Sequence, residues 1–202
     1  VGGNVVVNDA ALLSVNTIIN ASGGTGGAGG NVTFAGTVNS SGAARTLTVN
    51  TTGTTAFGGA VGDLAPLSTL TTNAGGNTLI GSSITTANAA VALGDTVQLT
   101  ANAVISTGTG AVTFSSTVDG GQALTVNSTG ATTFAGAVGG TAALADLTTN
   151  AGGTTVINGG GVTTTGAQTY GDAVTLGGLP AITLAAGSDV TFVNTVNGAR
   201  AL

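Results

Sequence analysis

Short triplets of apolar, polar and apolar residues recur along the chain, and turns rich in Gly and Asn separate them. A period of two is typical of half-buried strands. Because Gly and Asn tolerate positive φ, the intervening segments predict tight turns. The triplets are Val32-Thr33-Phe34, Leu47-Thr48-Val49, Val97-Gln98-Leu99, Val112-Thr113-Phe114, Leu124-Thr125-Val126, Val174-Thr175-Leu176, Ile182-Thr183-Leu184 and Val190-Thr191-Phe192.

Helices are disfavoured by this composition, since Gly occupies 37 of 202 positions and is costly in a helix interior. The best helical candidate is "TAALADL" at Thr141–Leu147, but its counterpart earlier in the chain carries Pro66. The pattern therefore predicts an all-β protein.

The sequence also repeats over a longer distance. "LTTNAGG" begins at Leu70 and again at Leu147, and Phe34, Phe114 and Phe192 recur at nearly the same interval. These spacings define a unit of roughly 79 residues. They divide the chain into a partial repeat (1–30), two repeats (31–110 and 111–189) and the start of a third (190–202). "GARAL" at the end matches "GGQAL" at 120–124, which leads into a strand, so we expect a slice of a longer array.

A shorter rhythm lies inside each unit, because Phe57 follows Phe34, and Phe134 follows Phe114, at about a quarter of the unit's length. Coils of roughly 20 residues, four to a unit, predict a parallel β-helix, a β-solenoid with aliphatic ladders inside and Thr outside. The expected core ladder is Phe34, Phe57, Phe114, Phe134 and Phe192. The expected turn and ladder positions are Asn50, Asn127, Asn73 and Asn150.

A tandem array of β-sandwich domains is the alternative, which the short strands and missing Trp and Cys disfavour.

The chemistry available to this chain is narrow. It contains no Cys, His, Met or Trp, which excludes thiol nucleophiles, histidine bases and Cys/His metal clusters. Two basic residues and a net charge of −5 argue against nucleic acids and anionic membrane surfaces as partners. No apolar run is long enough for membrane insertion. We expect no cofactor and no enzymatic activity.

The acidic residues are all Asp, and they are scattered. Asp119 aligns with Asn39 and Asn197, which indicates a turn position where Asn serves as well. Three other hypotheses stay open: a carbohydrate-active β-helix enzyme using Asp residues, an ion between turns at Asp95 or Asp172, and ice binding by Thr-x-Thr pairs. The pairs are Thr46/Thr48, Thr69/Thr71 and Thr163/Thr165.

Phrases such as "VTFAGTV", "LTVNTTG", "TTFAGAVGG" and "TTTGAQTYGDAVTL" resemble the repeats of large bacterial surface proteins of the filamentous-haemagglutinin and autotransporter adhesin type. The resemblance implies that the parallel β-helix is right-handed and that the protein is exported across the outer membrane to the cell surface or medium. It also implies a role in adhesion, aggregation or biofilm matrix. Expected partners are further copies of the chain, assembled end to end or laterally into filaments, and host or cell-surface glycans or proteins. The leading hypothesis is a structural or adhesive rod without catalytic function.

Overall fold

The computed structural model describes residues 2–23, 28–177 and 181–198. This part of the chain contains 25 short strands and no helix. Accordingly, none of it forms a helix long and apolar enough to cross a membrane. Each strand pairs in parallel with its counterpart one turn away, so the chain winds as a β-solenoid. The predicted all-β parallel β-helix is confirmed.

Three sheets form the three faces of the solenoid, and the chain visits them in the order face 1, face 2, face 3. Face 1 contains β1 (Val5–Val7), β4 (Val32–Phe34), β7 (Thr54–Phe57), β9 (Asn77–Ile80), β12 (Thr96–Leu99), β15 (Val118–Asp119), β20 (Gly161–Thr164) and β23 (Thr183–Ala186). Face 2 contains β2 (Ala11–Leu13), β5 (Val38–Ser40), β10 (Ile84–Thr85), β13 (Ala103–Gly108), β16 (Leu124–Ser128), β18 (Leu147–Thr149), β21 (Gln168–Tyr170) and β24 (Val190–Phe192). Face 3 is a continuous nine-stranded sheet of β3 (Thr17–Asn20), β6 (Thr46–Asn50), β8 (Thr69–Thr72), β11 (Val91–Leu93), β14 (Val112–Phe114), β17 (Ala131–Phe134), β19 (Thr154–Ile157), β22 (Ala173–Leu176) and β25 (Val196–Asn197).

Seven turns contribute a strand to every face, and two turns replace one strand by a single bridging residue. Val61 bridges Val38 and Ile84 on face 2, and Val138 bridges Val118 and Val162 on face 1. An irregular segment follows each bridging residue. We name residues 62–68 the first loop and residues 139–146 the second loop. The second loop includes the segment considered as a helix, and the structure shows bends there with one bridge at Leu144.

Successive turns are about 22 residues apart, slightly more than the predicted 20. The register shows that the turns differ in length: the step from Thr78 to its partner Val97 is short, whereas the step from Val5 to its partner Val32 is long. Corner and loop insertions account for the difference, because the strands themselves stay short. As a result, four turns exceed the length of one sequence repeat.

The sequence repeat therefore does not close on the face where it started. β4, β14 and β24 carry the equivalent "VTF" triplets, yet they lie on faces 1, 3 and 2 respectively. One repeat covers three complete turns plus two faces, which is 3⅔ turns rather than the four that the Phe spacing predicted. Every feature of one repeat consequently reappears on a different face in the next repeat.

The core consists of inward-facing aliphatic and aromatic side chains, most of them fully buried. Several strand Thr residues also face inward and are buried, which corrects the expectation that Thr lies outside. Instead of one aromatic ladder, the Phe residues form separate stacked pairs. Phe34 stacks on Phe57 on face 1 at a ring-centroid distance of 5.5 Å, and Phe114 stacks on Phe134 on face 3 at 5.1 Å. Phe192 stacks at 5.2 Å on Tyr170 of face 2, a residue that the predicted ladder omitted. This separation by face follows from the 3⅔-turn repeat.

Candidate functional site

Both strand-replacing loops begin with the same backbone conformation. Gly62 and Gly139 have φ values of 72° and 68°, which only Gly adopts without strain. A Cβ atom at Gly62 would collide with the Thr85 carbonyl oxygen, and one at Gly139 would collide with the Thr163 carbonyl oxygen. Gly at these two positions lets the chain leave the sheet while remaining close to the next turn.

Each loop is anchored to the strand below it by a side-chain oxygen at the same position, and Ser40 Oγ adds a bond to the Pro66 carbonyl at 2.9 Å in the first loop. Asn39 Oδ1 accepts hydrogen bonds from the amides of Leu64 and Ala65, both at 3.1 Å. Asp119 Oδ1 accepts the corresponding bonds from the second loop, from Thr141 at 2.7 Å and Ala142 at 3.1 Å. Asn and Asp therefore anchor the loops in the same way at equivalent positions, as their alignment predicted. The third aligned residue, Asn197, lies on β25 and is exposed.

The second loop overhangs face 1 and forms one wall of an open groove of about 330 Å³. Its floor consists of the outward side chains of β9 and β12, together with Thr117, which precedes β15, and Asp119, which lies on β15. The lining residues are Asn77, Thr96, Val97, Gln98, Thr117, Asp119, Thr141 and Ala142. The groove thus brings together a carboxylate, side-chain amides and several hydroxyls in one surface cavity.

Within the groove, few of the polar side chains form hydrogen bonds with each other. Thr96 donates from Oγ1 to Asn77 Oδ1 at 3.0 Å. Both loop amides bind Asp119 Oδ1, which leaves Oδ2 of the same carboxylate for other donors. Gln98 and Thr96 are exposed, while Asn77, Thr117 and Asp119 are half-buried. The arrangement leaves hydrogen-bonding groups of Gln98, Thr117 and Asp119 at the surface of the groove.

The four predicted turn positions divide into two kinds of contact. Asn73 Oδ1 accepts a hydrogen bond from the Thr51 amide at 2.7 Å, and Asn73 Nδ2 donates one to the Ala74 carbonyl at 2.9 Å. Asn150 repeats both bonds, to the Ser128 amide at 2.8 Å and the Ala151 carbonyl at 3.1 Å.

Asn50 makes a different contact, because it donates along the solenoid axis to Asn20 Oδ1 at 2.6 Å. Its equivalent Asn127 pairs with Ser106 in the face 2 sheet. A continuous Asn ladder is therefore limited on this corner to the Asn20–Asn50 step.

Two buried carboxyl groups recur at equivalent corners. Asp95 is 1% exposed and accepts the Gly76 amide at 2.7 Å and the Thr78 hydroxyl at 3.0 Å. Burial raises the pKa of the Asp95 carboxyl above its ordinary value, and the two hydrogen bonds oppose that rise. The hydroxyl of Thr72 completes the cluster at 3.4 Å from that of Thr78.

The second copy of this cluster is nearly identical. Asp172 is also 1% exposed, and it accepts the Gly153 amide at 2.7 Å and the Thr155 hydroxyl at 3.2 Å. Burial raises the pKa of Asp172, again against its hydrogen bonds. These two Asp residues were considered as ion ligands, but each is enclosed by hydroxyl and amide donors, which serve a corner rather than a cation.

The other Asp residues are dispersed over the solenoid. Asp146 Oδ1 accepts the Ala167 amide at 2.7 Å, and Asp9, Asp63 and Asp189 are exposed. Within residues 2–23, 28–177 and 181–198, no three His, Cys, Asp or Glu side chains are grouped as they would be around a metal ion. Asp95, Asp119, Asp146 and Asp172 all accept backbone amides, so these carboxylates contribute to the structure.

The Thr-x-Thr pairs do not build one continuous array. Thr46 and Thr48 pair with Thr69 and Thr71 on face 3, but the next outward neighbour of Thr71 is Ala92. The third pair begins on β20 of face 1. An ice-binding surface would need the same face to carry the pairs turn after turn, and the rotation of the repeat separates them. The end of the predicted third repeat (190–202) lies outside the described residues from position 199 onward.

The groove itself was missed in the sequence, because its residues come from four successive turns and are far apart along the chain. The available signal was Gln98 in a triplet whose middle residue is otherwise Thr. No protein-family model, curated protein or solved structure matches the chain. Its class is therefore defined by the fold and the repeat alone: it is a β-solenoid repeat protein with three parallel sheets.

Proposed function

We propose that this chain is a segment of a stiff, extracellular, structural or adhesive rod belonging to a large bacterial surface or secreted protein. The observation that carries the proposal is the uninterrupted parallel pairing of face 3 across nine strands. Nine strands spaced by roughly 4.8 Å extend over about 38 Å. Such a structure resists bending because each turn is hydrogen-bonded to the next on all three sides.

The surface supports the same proposal. Outward positions carry mainly Thr, Asn, Ala and Gly, and the polar side chains of the corners are bonded to the backbone of neighbouring turns. Uncharged hydroxyl and amide groups keep the rod hydrated while leaving few groups for acid–base or nucleophilic chemistry. The resemblance of the repeat phrases to bacterial adhesins adds the cell-surface location and the bacterial source.

A length series tests the rod. We expect each added copy of residues 111–189 to lengthen the particle by about 18 Å, which is 3⅔ turns of roughly 4.8 Å, at constant cross-section. Small-angle X-ray scattering measures both quantities. Beads coated with the chain, compared with beads coated with an unrelated protein, test adhesion to bacterial cells. A cross-section that grows with copy number would contradict the rod, and equal retention of both bead types would contradict adhesion.

A further inference from the structure

We propose that the groove beneath the second loop binds a neutral oligosaccharide of about three sugar units. The inference rests on the proposed adhesive function and names the ligand class for one site. Five residues with polar side chains, Asp119, Asn77, Gln98, Thr96 and Thr117, line one open cavity of about 330 Å³.

The polar groups suit the hydroxyls of a sugar. A carboxylate oxygen accepts two hydroxyl donors, and a side-chain amide donates and accepts at once, so both bind neighbouring hydroxyls of one ring. Asp119 Oδ2 is left for this purpose because Oδ1 takes both loop amides. Ala142, which is exposed on the second loop, supplies an apolar contact for the carbon-bound face of a sugar ring. The side chain of Val97 is buried in the core.

The spacing of the groups sets the ligand length. Asn77 lies on β9, Gln98 on β12, Asp119 on β15, and Thr141 on the loop above, which makes four levels. Three steps of roughly 4.8 Å cover about 14 Å. One step is close to the length of a sugar unit in an extended chain, so successive sugars would meet equivalent rows of side chains.

Charge selects a neutral ligand. Among the described lining residues, Asp119 alone is charged, and the whole chain has a net charge of −5 with 2 basic residues. A polyanionic sugar chain would therefore be repelled by the carboxylate, and the lining residues offer no cation to compensate.

The fold itself does not require these polar side chains. At the equivalent place beneath the first loop, Asn39 replaces Asp119 and accepts the two corresponding loop amides, with a further bond from Ser40 Oγ to the Pro66 carbonyl. Leu12 pairs with Asn39 where Gln98 pairs with Asp119, and it is 69% exposed. The first anchored residue of that loop is Leu64, which is 85% exposed and takes the place of a Thr. Since loop anchoring works without a carboxylate or a Gln, the polar lining of the second groove serves something else.

The experiment is a titration of the ¹⁵N-labelled chain, followed by NMR, with four neutral probes and one anionic probe. Cellotriose and maltotriose represent matrix glucans, mannotriose and tri-N-acetylchitotriose represent glycoprotein chains, and trigalacturonate is the charged comparison. We expect at least one neutral probe to shift the amide signals of residues 96–98, 117–119 and 141–142, with no such shift from trigalacturonate. The probe that binds most tightly distinguishes the two sources.

Two variants copy the residues found beneath the first loop. Gln98→Leu and Asp119→Asn are each expected to weaken binding about tenfold or more, while Thr113→Leu on the outer side of face 3 leaves affinity unchanged. Circular dichroism of each variant confirms that the solenoid is intact, as the Asn39 precedent predicts for Asp119→Asn. Unchanged affinity in both groove variants would overturn the proposal, as would the absence of shifts with every neutral probe.

Failure of this inference and failure of the proposed rod have different signatures. If the length series gives an extending rod but no neutral probe binds, the oligosaccharide site is wrong and the rod stands. If a probe binds and is cleaved, the saccharide site stands and the non-catalytic function is wrong. Analysis of each probe by mass spectrometry after incubation with the chain separates these outcomes.

Discussion

Thr55 and Thr132 lie at equivalent inward positions of the two repeats, and each buries a hydroxyl that has no hydrogen-bond partner among the described residues. Both side chains are 0% exposed. A buried hydroxyl without a partner opposes folding by about 1–3 kcal/mol. The same energetic defect is thus present in both repeats, on face 1 in the first and on face 3 in the second.

Replacing these hydroxyls by methyl groups should stabilise the solenoid. We expect Thr55→Val and Thr132→Val each to raise the free energy of unfolding by about 1 kcal/mol, because Val keeps the shape and removes the polar group. Urea unfolding measured by circular dichroism checks the change. Thr48→Val, on the outer side of face 3, is the control and should stay within about 0.5 kcal/mol of the parent chain. A loss of stability at both buried positions would show that the hydroxyls are satisfied in solution.

Acidification should stabilise this protein through Asp95 and Asp172. Their pKa values are raised in the folded state above 3.8, so the folded chain binds protons more readily than the unfolded chain. Their contribution to stability is therefore complete below pH 3.8 and is lost as the pH rises through the folded-state pKa. The unfolding midpoint in urea should increase as the pH is lowered from 7 toward 4.

The variant Asp95→Asn/Asp172→Asn tests the assignment, because Asn cannot titrate yet retains an oxygen that accepts the corner amide. We expect the increase in midpoint on acidification to be smaller in this double variant than in the parent chain. Asp9→Asn, at an exposed position, should leave the increase unchanged. If the double variant and the parent chain respond identically to pH, the two buried carboxyls are not the source.

The coupling free energy between two Phe residues should show whether they lie on the same face. Phe34 and Phe57 are stacked with ring planes 5° apart, so a double-mutant cycle with Leu should give a coupling of about 0.5–1.5 kcal/mol. Phe34 and Phe114 lie on different faces and three turns apart or more, so their substitutions should be additive. Thermal and urea unfolding of the single and double variants measure both couplings. Coupling of similar size in the two cycles would contradict the face assignment.

Replacing the Gly that begins the second loop by Ala should lower the free energy of unfolding. Gly139→Ala must adopt a positive φ and also bring its Cβ atom against the Thr163 carbonyl, so we expect a loss of more than about 2 kcal/mol. Gly42 has a φ of 77° but open space around it, which makes Gly42→Ala the matched control. That control should lose only the conformational part, about 1 kcal/mol. Equal losses at both positions would mean that the close approach to Thr163 has no energetic weight.

Sequence patterns predicted the inward positions of the apolar residues well, since a strand has a side-chain period of two and apolar residues must face the core. The expectation that Thr lies outside was wrong for inward strand positions such as Thr78 and Thr155, because a Thr at an inward position is buried whatever its polarity. Phe34, Phe57, Phe114 and Phe134 are buried for this reason. The equivalence of Asn39 and Asp119 was also visible, because a turn acceptor requires an oxygen and no charge.

The assignment of residues to faces could not be predicted in the same way. It depends on the summed length of corners and loops, and a small error in the length of each turn moves a strand to another face after a few turns. The loops that begin at Gly62 and Gly139 add residues without adding a strand, and nothing in the alternation marks them. The groove was hidden for the same reason, because Gln98 and Asp119 become neighbours only through the register between turns.

Because one repeat covers 3⅔ turns, a molecule that approaches the solenoid from the side meets a different face of each successive repeat. A feature carried once per repeat advances by about 18 Å and swings through one third of a circle each time. In an array of such repeats, the successive copies of the feature would lie on a helix around the solenoid axis. Three consecutive units would then present the feature once on each of the three faces, so contact would depend little on the rotation of the solenoid about its axis.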